Sequence, residues 1–98
     1  MLTEKEIYSF KLASGEEMLA RVVSHEGDII TISQPVSITP TERGMALVPS
    51  MFTSNPTGDF MLNINTVSMY AISEEQMQDK YIEAVTGIKI PEKKLILG

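Results

Sequence analysis

At 98 residues, with 43% hydrophobic and 21% charged side chains, the chain has the make-up of a single ordinary globular domain with a modest core. Its net charge of −5 works against non-specific nucleic-acid binding, which draws on a basic surface to displace counterions. Cysteine is absent, which removes disulfides, thiolate nucleophiles and sulfur-based zinc sites and fits a reducing, cytoplasmic setting.

Residues 1–9 are polar and mixed in charge, and do not read as a secretory signal. Ile7–Leu12 is rich in strand formers, and Phe10 and Leu12 alternate with Ser9 and Lys11 in the period of two of a half-buried strand. Ala13, Ser14, Gly15 and Glu16 make a tight turn, where Gly15 can take a positive φ. Residues 18–24 read as a second strand. His25, Glu26, Gly27 and Asp28 follow as a turn, and 29–33 as a third strand whose end Pro35 disturbs. Residues 34–44 carry Pro35, Pro40 and Gly44 and are expected to turn or loop. Residues 45–52 fit a strand, but Pro49 restricts it to an edge or a bulge, facing away from any pairing. Residues 54–59 are loop-forming, and 60–64 and 67–72 are two short runs around Asn65 and Thr66.

The helix signal lies over 73–87. Ser73, Glu74, Glu75 and Gln76 have the form of a capping box, with both glutamates at the favourable end of the helix dipole. Met77, Tyr81 and Val85, spaced by four, form an apolar stripe with Ile82 beside it, and Gly87 is placed to stop the helix. Such a stripe packs on a sheet, and the acidic polar face does not suit a membrane surface. No run approaches the roughly 18 apolar residues of a membrane span. Residues 88–98 read as an extended tail ending in Leu95, Ile96 and Leu97. These three either pack on their own domain, add to a neighbour as a strand, or contact a protein partner.

Little here has the form of a reaction centre. His25 stands beside Glu26 and Asp28, but adjacent turn residues rarely converge on one ion and the chain has no second histidine. A hairpin turn is the simpler reading, and neither metal nor cofactor is expected. His25 lies in no nucleophile motif, and no GxGxxG or other phosphate-binding loop occurs. The chain therefore reads as a non-enzyme. Its charge distribution says more: between positions 29 and 73 the only charged residues are Glu42, Arg43 and Asp59. A β-rich surface so poor in charge is expected to be covered in an assembly, the plain alternative being a surface that is neutral but polar.

The order of elements resembles the Sm-like family over residues 7–72. Leu12, Ala13, Ser14 and Gly15, followed by the strand at 18–23, are similar to the first Sm motif, where a hydrophobic strand ends in a near-obligatory glycine. Leu62, Asn63, Ile64, Asn65, Thr66 and Val67 resemble the second motif. The likeness is to small Sm-like proteins of marine microbes and their phages. It implies an all-β fold: a small, strongly bent, five-stranded antiparallel Sm-like (SH3-like) barrel over 7–72, followed by the C-terminal α-helix and the tail. It also implies a homo-oligomeric ring of six or seven subunits that binds RNA, with His25, Asn63 and Asn65 where family loops meet nucleotides.

There are departures. His25, Glu26, Gly27 and Asp28 replace the usual Asp and Asn of that turn, Asn63 and Ile64 replace an Arg-Gly pair, Ala20 replaces a glycine, and the helix follows the barrel. Residues 45–52 and 60–64 share the place of one family strand. The departures leave the ring better supported than RNA binding. Ala46, Val48, Met51, Val67 and Met69 are the candidate interface residues. The competing function is that of a structural or adaptor protein, of phage type, which contacts a protein partner through Leu95, Ile96 and Leu97.

Overall fold

A computed structural model of the chain describes residues 2–87. The alternating runs fold as β1 (Ile7–Leu12), β2 (Glu17–Glu26), β3 (Ile29–Thr41), β4 (Gly44–Pro49), β5 (Asp59–Asn63) and β6 (Val67–Ile72), followed by α1 (Glu75–Thr86). All pairings are antiparallel, in the order β4-β3-β2-β1-β6, with β5 also on β3.

The third strand runs eight residues past the expected end at 33, through both prolines. Leu19 pairs with Val36 and Arg21 with Ser33, so Ala20 alone opposes Gln34 and Pro35. This bulge, with Gln34 at φ 49, absorbs Pro35 without breaking the strand. Pro40 lies beyond the last β2 partner of β3, Ser37 opposite Met18, so its missing N–H leaves no bond unmade on that side. The second strand is also longer than expected and includes His25 and Glu26, which leaves only Gly27 and Asp28 as the turn.

β4 and β5 both line the edge of β3 away from β2. β4 pairs with residues 36–41 and β5 with 29–33, and residues 50–58 loop out between them. The runs expected to share one strand's place therefore form two strands, making six rather than five. The sheet is not closed into a barrel. A 3-10 turn, Ile64–Thr66, joins β5 to β6, and its ends are tied to different hairpins: Ile64 N donates to Asp28 O at 2.8 Å, and Ala13 N to Thr66 O at 2.7 Å. β5 and β6 diverge there instead of pairing.

The sheet has two packed faces. On the inner face Tyr8, Phe10, Met18, Ala20, Val22, Ile30 and Ile32 form one cluster with Leu2, and Phe60, Leu62 and Val67 pack against it. On the outer face Ile7, Leu19 and Val36 meet Tyr81, with Met77 and Val85 of α1 at the margin. Burying each of the Val, Leu, Ile, Phe and Met side chains among these contributes about 1.5–3 kcal/mol. The Tyr81 hydroxyl donates to Ser33 O at 2.9 Å and accepts from Arg21 N at 3.2 Å. Burial raises its pKa above the ordinary value of 10, against the opposing pull of the Arg21 hydrogen bond and charge.

The capping box does not form. Ser73 N still bonds β1 through Ile7 O at 3.0 Å, and its buried hydroxyl pairs with that of Ser9 at 2.7 Å. The helix therefore starts one residue later, at a Glu74 N-cap that makes no side-chain capping bond. Gly87 ends α1 at φ 77 and donates to Glu83 O at 3.1 Å.

Candidate functional site

The chemistry of a sheet edge is set by which backbone groups point outward, and the ladders fix this residue by residue. Ser50 N donates to Pro35 O, so the antiparallel alternation bonds Gly44, Ala46 and Val48 to β3 and turns Met45, Leu47 and Pro49 outward. Pro49 faces away from its ladder, where a residue without an N–H belongs. On the opposite edge Ser73 N donates to Ile7 O, which bonds Met69 and Ala71 to β1 and turns Tyr70 and Ile72 outward; before Met69 a bulge shifts the register, so that Val67 is opposite Leu12. On β5 the bond from Ile64 N to Asp28 O leaves Asp59, Met61 and Asn63 outward.

These edges expose apolar side chains. Met45 is 71% exposed, Met61 68%, Met69 67%, Ile72 51% and Tyr70 46%, and Phe52 in the loop beyond β4 reaches 79%. The only charged residue in β4, β5 and β6 is Asp59. Edges normally carry lysine, or are twisted or covered, to discourage pairing with another chain. Beside β6 a groove of about 320 Å³ lies between Lys11, Glu17 and Met69, floored by Ser9 and Ala71.

Of the interface residues expected from sequence, Met51 and Met69 are exposed, while Ala46, Val48 and Val67 are half-buried. Val67 packs against the inner cluster. Met45, Met61, Tyr70 and Ile72, large exposed groups at outward positions, were not among the expected interface residues. Alternation in the sequence marks which residues share a face, but the outward set depends on the pairing.

The residues expected to contact RNA are only partly together. His25 is in the same row as Ile30 and Leu62, and Asn63 in the next row with Ile29 and Glu26, so the two side chains lie on opposite faces of the sheet. Nδ1 of His25 accepts from Leu2 N at 3.3 Å and Nε2 donates to Gly27 O at 3.2 Å, so both ring nitrogens are engaged within the chain. Asn63 caps the 3-10 turn by accepting from Asn65 N at 2.8 Å. Asn65 is exposed, and Glu26 and Asp28 are beside this turn. Leu95, Ile96 and Leu97 lie outside the described residues.

Among the described residues no group of three or more His, Cys, Asp or Glu side chains is placed to hold a metal ion. No described helix is long and apolar enough to cross a membrane. The chain matches no family model, and no curated protein matches it.

Proposed function

We propose that the chain is a non-enzymatic, Sm-like assembly module that joins copies of itself edge to edge into a closed ring. The observation that carries this is the pair of opposite edges, β4 and β6, both uncharged and both exposing large apolar side chains. Leaving both in water is an aggregation hazard, and pairing unlike edges head to tail covers both when the rotation closes. The long bent β3, the strand order and the 3-10 turn before the last strand support the Sm-like reading. RNA contact has less behind it, because His25 uses both ring nitrogens within the chain and the nearby turn is acidic.

The test is light scattering coupled to size exclusion, on the wild type and on a Met45→Lys, Ile72→Lys variant. A closed oligomer for the wild type and a folded monomer for the variant are expected. Identical sizes for the two proteins would contradict the proposal.

A further inference from the structure

Residues 2–6 fold back against β1 and β2 and are held in two stages. Nearest the sheet, Lys5 N donates to Val22 O at 2.7 Å, Val22 N donates to Glu6 O at 3.0 Å, and the Arg21 guanidinium donates to Lys5 O at 2.7 Å. Lys5 has φ 72, a conformation that residues other than glycine seldom take, so the chain reverses sharply at this clamp. Beyond the clamp, the Leu2 side chain is 5% exposed within the inner cluster. Thr3 N donates to the Tyr8 hydroxyl at 2.9 Å, and Leu2 N donates to Nδ1 of the half-buried His25 at 3.3 Å.

This second stage is closely balanced. Ordering three residues costs chain entropy on the scale that one buried leucine and two hydrogen bonds contribute, so the loss of one bond is enough to tip it. The bond to His25 is the one that protons can remove near neutral pH. With Nδ1 accepting from Leu2 N and Nε2 donating to Gly27 O, the neutral ring serves both contacts. A second ring proton goes to Nδ1, and two donors then face each other with no acceptor between them.

We infer that His25 is a pH-operated latch: the neutral ring holds residues 2–4 on the inner cluster, and the protonated ring releases them about a hinge at Lys5, uncovering the cluster where Tyr8 lies. The surroundings offer no strong substitute hold. Ile30 and Leu62, in the row of His25, are uncharged. β3 carries no charged residue, Asp59 of β5 lies three residues along from Leu62, and Lys11 and Glu17 pair at the far end of the first hairpin. The other charged groups of the elements that meet here are Glu26 and Asp28 in the turn, Glu4, Lys5 and Glu6 in the folded-back segment, and Arg21, which is engaged with Lys5 O. Those of the turn and the segment are exposed, where water screens any pair with the ring.

The chain has no cysteine, so a single nitroxide label at exposed Thr3, carried on Thr3→Cys, reports without background. That substitution keeps the backbone bond to Tyr8, and electron spin resonance reads the label's mobility in an assembly of any size. Between about pH 8 and about pH 5.5 the ratio of immobile to mobile label should fall about tenfold, the scale of one lost acceptor. A label on Glu4→Cys should repeat that fall. Adding His25→Asn keeps an acceptor near Nδ1 and removes the titration, so the label should stay immobile at both pH values. Adding Leu2→Ala should leave it mobile at both. An equal response with and without His25→Asn would assign the change to another group and overturn the latch. No response at either label with His25 in place and the far-ultraviolet circular dichroism unchanged would overturn it as well.

Discussion

The centre of the sheet and its edges are built from similar side chains with opposite fates. In β2, Met18, Leu19, Ala20 and Val22 are buried on both faces, by the inner cluster and by α1. In β6, Met69, Tyr70 and Ile72 belong to the same classes and are about half exposed or more. The difference lies in position within the sheet. A central strand is covered by elements of its own chain, whereas an edge strand is covered only by what pairs with it.

The comparison breaks most severely at Tyr81, which closes the outer face. Tyr81→Ala should lower stability by about 3–5 kcal/mol through the cavity it leaves, read as a drop in the urea midpoint at fixed protein concentration. Tyr81→Phe keeps the ring but leaves the Arg21 N–H without its acceptor, and should cost about 1–3 kcal/mol. The same variant tests the titration. A tyrosine whose folded pKa is raised contributes stability that is full below pH 10 and is lost as pH rises from there through the folded value. Wild-type stability should therefore fall above pH 10 more steeply than that of Tyr81→Phe, and parallel alkaline profiles would contradict the burial of this hydroxyl.

Smaller effects sharpen the contrast. Glu74→Ser should supply the absent N-cap bond and raise stability by an amount on the order of 1 kcal/mol, read as a higher urea midpoint, with no change in oligomer size. Met45→Lys should change the stability of the isolated fold by no more than about 0.5 kcal/mol, because the side chain is already exposed, while shifting the assembly toward monomer by light scattering. A change beyond about 1 kcal/mol, with the oligomer intact, would mean that Met45 serves its own domain.

How much of this was legible in the sequence follows from which interactions are local. The stripe of Met77, Tyr81 and Val85 and the stop at Gly87 are set by helical spacing and backbone freedom, and both appear in the fold. The capping box failed because Ser73 remains hydrogen-bonded to β1, a contact 66 positions away in sequence. The length of β3 was hidden because a proline reads as a strand breaker, and only the pairing with β2 shows that one is housed in a bulge and the other lies past the last β2 partner. The scarcity of charge between 29 and 73 pointed to the edges as the place of interest. It did not separate Ala46 and Val48, whose backbone groups bond β3, from Met45 and Leu47, whose backbone groups face outward. That distinction needs the ladder.

Native mass spectrometry of the wild-type protein at micromolar concentration tests the covering of these edges most directly. The account predicts one closed species at a fixed multiple of 10.9 kDa that persists on dilution. A spectrum holding only the 10.9 kDa chain would contradict it.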